Sequence, residues 1–92
     1  MIRSFKDRKT QRFFEGHRVR EFQAFASQAT RRLAILDSAE TLQDLAALRS
    51  NRLEFLSGDR AGQVSIRVNQ QWRLCFRWDD DGPWDVEVVD YH

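Results

Sequence analysis

The apolar residues change their period once along the chain, near Asn51, and that change limits the fold more than any other feature. Before it, Val19, Phe22, Phe25, Ala26, Ala29, Leu33 and Leu36 recur at spacings of three and four within "RVREFQAFASQATRRLAIL". That spacing predicts a helix with one apolar stripe, and Arg18, Arg20, Arg31 and Arg32 fall on its other side. After Asn51 the period is two. "VSIRV" sets Val64, Ile66 and Val68 on one face, "WRLCFRW" sets Trp72, Leu74, Phe76 and Trp78, and "WDVEVV" sets Trp84, Val86 and Val88. Helices first and strands later predict an antiparallel sheet with helices on one face.

Shorter elements complete the pattern. "MIRSF" alternates and predicts a first strand. "DRKTQRFFEG" predicts a short helix, capped by Asp7 and stopped at Gly16. "TLQDLAAL" predicts another, with Thr41 and Asp44 in capping-box spacing. "RLEFL" predicts a strand, and "SGDRAG" and "DDDGP" predict turns. The expectation is an α+β fold over residues 1–92, a single domain: a short N-terminal strand, two or three helices, then an antiparallel β-meander packed on the helices.

Matching apolar faces across the hairpins sets their register. A three-residue loop at 69–71 puts Val68 opposite Trp72 and Arg67 opposite Arg73. A five-residue loop in the second hairpin puts Trp78 opposite Trp84, Phe76 opposite Val86, Leu74 opposite Val88 and Arg77 opposite Asp85. Val89 then faces Arg73, and Tyr91 faces Gln71. In this register Arg67, Arg73 and Tyr91 converge on the exposed sheet face, with Asp90 and His92 at its edge.

Charge is uneven although the net value is only +1. Residues 1–36 hold nine Lys/Arg against three Asp/Glu, while residues 79–90 hold six acids and no base. A basic half suggests an anionic partner. The single cysteine, Cys75, rules out an internal disulfide and points to a reducing cytoplasm. No apolar run approaches the ~18 residues of a membrane span or a secretory leader.

Like charges directly opposed across a sheet are destabilising. Arg77 has Asp85 to offset it, but Arg67 and Arg73 have no acid in this register. Such a pair suits a phosphate or carboxylate, whose oxygens match guanidinium forks. The last three residues, Asp90, Tyr91 and His92, add groups that move or orient a proton. Metal-free RNA cleavage needs a base for the 2′-hydroxyl, an acid for the leaving 5′-oxygen and cations for the phosphoryl oxygens. Histidine titrates near neutral pH, tyrosine contributes where cations favour its ionised form, and Asp90 is expected either to orient His92 or to contact the substrate. Arg60, in "SGDRAG", is available for a backbone phosphate, although that loop lacks phosphate-loop spacing. His17 and His92 are far apart, so neither a metal nor a cofactor is expected. Cys75 is expected to be structural.

The frame "GDRAG…SIRVN…WRLCFRW…VDYH" resembles the C-terminal half of the HigB toxins, in the RelE/ParE superfamily of type II toxin–antitoxin systems. "MIRSF", "FFEG" and the Arg-rich helix fit the N-terminal half, so the resemblance covers nearly the whole chain. It implies a RelE-like fold and a cytoplasmic toxin that enters the ribosomal A site and cuts translated mRNA without a metal. It also implies a cognate helix-turn-helix antitoxin (HigA-like), with operator DNA bound only through the toxin–antitoxin complex. By position, Asp90, Tyr91 and His92 match the functional tail, Arg73 the sheet arginine after the Trp, and Arg67 a common second one. Where some members read Leu-His-Pro-Leu-Lys-Gly-Asp, this chain reads "LEFLSGD". Glu54 stands at the His position and Ser57 at the Lys position. Either the tail carries the proton transfers alone, or Glu54 serves as base. Two alternatives stay open: a ParE-like toxin that poisons DNA gyrase, and a non-catalytic module that grips nucleic acid or protein.

Overall fold

The computed structural model describes residues 1–90; Tyr91 and His92 lie outside the described residues. Helix α1 (Arg8–Phe14) starts where the Asp7 carboxylate accepts the Thr10 N–H at 3.1 Å, and it stops before Gly16 at φ +97°. Helix α3 (Leu42–Ala47) carries the expected capping box of Thr41 and Asp44. Between them the expected long helix is two pieces, a 3₁₀ segment over Arg20–Phe25 and then helix α2 (Ala26–Ser38). The spacing explains the break. Val19, Phe22 and Phe25 are three apart, which lines them up at three residues per turn. Ala29, Leu33 and Leu36 are four and three apart, which suits an α-helix. Phe22 and Phe25 are both buried against Trp72, whose ring stacks on Phe25 at 4.7 Å.

The sheet runs in the order β1 (Glu54–Phe55), β2 (Val64–Arg67), β3 (Trp72–Asp79) and β4 (Gly82–Asp90), antiparallel throughout. The first hairpin takes the expected register: Arg67 lies opposite Arg73, and the Val68 N–H donates to the Trp72 carbonyl at 2.9 Å. The second corrects it near the turn. The loop is two residues, not five, so Trp78 pairs with Pro83 and Arg77 with Trp84. Asp85 and Val86 both oppose Phe76, a bulge that restores Leu74 opposite Val88 and Arg73 opposite Val89. Asp85 takes φ +55°, and the Ser4 hydroxyl accepts its N–H at 2.8 Å. Gly82 has to be glycine: at φ +132° an added Cβ would lie 2.8 Å from the Met1 carbonyl oxygen.

The expected N-terminal strand reduces to one parallel bridge between Phe5 and Val86. Backbone bonds from Arg3 to Pro83 and from Lys6 to Val86 still bind it along β4. The Thr10 hydroxyl, fully buried, accepts the Val88 N–H at 3.0 Å. The outer edge of β4 is thereby covered.

On the helix side, Ile66, Leu74, Phe76 and Val86 are fully buried among Leu33, Leu36 and Leu45. Truncating one of these leucines to alanine costs about 2–5 kcal/mol. The far face is less open than the alternation suggests: Ser65 and Cys75 are fully buried there, and Arg73 is only 8% exposed.

Candidate active site: an arginine-lined cleft

Antiparallel partners share a face, so the register lays out the far side of the sheet in rows. Glu54, Ser65, Cys75 and Glu87 form one row, and Arg67, Arg73 and Val89 form the next. Beside the second row the surface sinks into a cleft of two joined lobes. The smaller, about 330 Å³, holds Glu54 and Arg73. The larger, about 440 Å³, holds Gln28, Arg32 and Ser50. Arg52, Arg67, Asn69 and Gln70 line both.

Neutral groups hold each arginine that is fixed here. Arg73 donates through Nε to the Ser65 hydroxyl at 2.8 Å and through Nη2 to the Arg52 carbonyl. That carbonyl is aimed by a left-handed turn at Arg52, φ +44°. Arg67 Nε donates to the Asn69 carbonyl at 3.1 Å. Arg32 donates to Asn51 Oδ1 at 2.6 Å and to the Ser50 hydroxyl at 3.3 Å. Among the described residues, none of Arg32, Arg52, Arg67 and Arg73 forms an ion pair. Glu54 is the one acid on the cleft wall among the described residues. Burial first, and then the charges of Arg31 and Arg67, pull Arg32 below the usual arginine range.

The structure therefore brings Glu54, Arg67 and Arg73 together. Arg60 is placed differently: it reaches past Cys75 to Glu87, with Nη1 at 2.8 Å from Oε1 and a second bond to Gln63. Burial raises the Cys75 thiol, with Glu87 adding to the rise and Arg60 and Arg73 opposing it, so the sulfur is held as an unreactive thiol. Asp90 sits opposite Trp72 at the end of β4, where its carboxylate accepts from Gln71 Nε2 at 3.0 Å. The expectations for Tyr91 and His92 fall outside the described residues. Sequence reasoning missed Arg32 and Arg52. Arg32 borders the apolar stripe beside Leu33, and a polar Asn51 at the change of period was the available sign of its anchor.

A rigid cationic cleft with one carboxylate can bind a phosphodiester, neutralise charge growing on its oxygens and accept a proton beside it. Among the described residues, no group of three or more His, Cys, Asp or Glu is placed to hold a metal, and no helix is long and apolar enough to cross a membrane.

A family model for RelE-like toxins of the type II toxin–antitoxin system HigB matches residues 3–92. Toxin HigB-1 of Vibrio cholerae serotype O1 is 38% identical over 82 residues, covering 87% of this chain and 86% of that protein. In the solved YoeB–YefM complex from Staphylococcus aureus, one chain superposes with a TM-score of 0.61 at 18% identity, covering 100% of this chain and 98% of that one. At that identity the likeness concerns the fold, which is the α+β arrangement expected. Matched from residue 3 to 92 and closely related to a HigB toxin, the chain belongs to the HigB-like, RelE-like toxins of type II toxin–antitoxin systems.

Proposed function

We propose that this toxin is a ribosome-dependent endoribonuclease that cuts translated mRNA in the A site without a metal and so inhibits translation. The observation that carries the proposal is the Arg67–Arg73 pair, held by neutral groups on a cleft where no arginine has an acid partner among the described residues. Arg73, the more rigidly held, stabilises charge on the phosphoryl oxygens, and Arg67 shares that load. Glu54, on the same wall, contacts the substrate and stands ready as base for the 2′-hydroxyl. Val89 faces Arg73, and the sequence that follows it is Asp90, Tyr91 and His92. His92 is the acid for the leaving oxygen, Tyr91 assists, and Asp90 orients the tail. The cleft is open and has few groups to splay a free strand, so the ribosome supplies the substrate geometry. A helix-turn-helix antitoxin neutralises the toxin in the cytoplasm, and operator DNA is bound through that complex.

The test is incubation of purified toxin with ribosomes programmed with mRNA, beside naked RNA, with product ends mapped. Cleavage on the ribosome that leaves a 2′,3′-cyclic phosphate or its 3′-phosphate is expected, because the 2′-oxygen is the nucleophile. Equal cutting of naked RNA would overturn the ribosome dependence. Ends of 3′-hydroxyl and 5′-phosphate would overturn the mechanism.

A further inference from the structure

We infer that Arg32 and Arg52 form a second phosphate subsite, beside the Arg67–Arg73 pair, that grips an RNA backbone phosphate neighbouring the one being cut. The inference rests on the cleavage reading above and assigns Arg32 and Arg52 of the larger lobe, to which that reading gives no role.

Arg32 is not an ordinary helix-surface arginine. Its guanidinium is clamped by Asn51 Oδ1 at 2.6 Å and by Ser50, and Asn51 is itself fully buried, donating to the Leu45 carbonyl at 2.9 Å. A buried amide thus aims this cation into a lobe whose remaining described lining carries no acid. Burial and the charges of Arg31 and Arg67 disfavour the cation there, so an entering anion relieves a standing cost. Arg52 joins the two lobes. Its carbonyl holds Arg73, while its exposed side chain lines both concavities and makes no hydrogen bond among the described residues. Two contiguous lobes, each with its own fixed guanidinium, fit successive phosphates of one strand.

The test uses short messages on the ribosome in which a neutral methylphosphonate replaces one phosphate on either side of the cut. Wild type, Arg32→Gln and Arg52→Asn are compared in single turnovers, with toxin in excess over ribosome complexes but below saturation. Asparagine tolerates the left-handed backbone and keeps the carbonyl that holds Arg73. Each variant is expected to cut the normal message roughly tenfold more slowly, the loss typical of one charged hydrogen-bonded contact. On the message with the appropriate linkage neutralised, wild type and variant should converge, because both lack the same contact. If the variants lose the same factor on every message, the subsite does not read these phosphates and the inference fails while the cleavage reading stands. If Arg32→Gln and Arg52→Asn cut normally and instead lose affinity for the antitoxin, the lobe receives an acidic protein segment and the inference is again overturned. If wild type cuts no message, the parent reading fails and the subsite falls with it.

Discussion

The far face of the sheet carries arginines at both ends, and the two ends use them in opposite ways. Toward the β3–β4 turn, Arg60 reaches Glu87 and Arg77 reaches Asp85, each at 2.8–2.9 Å. At the other end Arg32, Arg52, Arg67 and Arg73 line a cleft, and none of them has an acid partner among the described residues. Paired cations hold a fold together. Cations fixed by hydroxyls and carbonyls keep their charge for something that arrives. The contrast marks function better than charge count does, since the whole chain is nearly neutral.

The largest effect is expected where the unpaired cations act together. Arg67→Ala combined with Arg73→Ala should lower single-turnover cleavage by about 10²–10³, little more than Arg73→Ala alone, because both hold one phosphate. Fully multiplicative losses would show that they act on separate groups. At the paired end, Arg60→Ala should lower stability by about 1–2 kcal/mol, read by denaturant titration, since it leaves Glu87 largely buried without its ion pair. Its effect on the rate of ribosome-bound toxin should be small. A large rate loss with unchanged stability would erase the contrast between the two ends.

The smallest effect belongs to the exposed Lys9–Glu21 pair at 2.8 Å, on the helical side. Its hydrogen bond to Lys9 holds the Glu21 carboxyl below its ordinary value and raises Lys9 above its own. The contribution is therefore present at neutral pH. It fades as pH falls through the lowered carboxyl value, and again as pH rises through the raised Lys9 value. Stability curves of wild type and Glu21→Gln should differ slightly at neutral pH and converge in acid. A gap that widens in acid would contradict the sign.

Much of this was legible in the sequence because it depends on neighbours along the chain. The caps at Asp7 and Thr41, the helix stop at Gly16 and the opposition of Arg67 and Arg73 follow from spacing alone. The bulge at Asp85 was not legible, because apolar alternation cannot reveal one extra residue that a distant Ser4 stabilises. Nor was the cleft's full lining. Arg32 reaches it from α2 only because Asn51, 19 residues on, is buried at the right point to hold it. Arg60 looked available for phosphate because its partner Glu87 lies 27 residues away, across the sheet.

The most direct test of the account is the single-turnover rate of Arg73→Ala at saturating toxin, beside a ribosome-binding assay on the same variant. The account predicts near-normal binding with a rate about 10²–10³ lower, and only partial recovery in Arg73→Lys, which keeps the charge but loses the fork. If Arg73→Ala, once bound, cuts at the wild-type rate, then Arg73 is a docking contact and the cleft is not where the phosphoryl charge is stabilised.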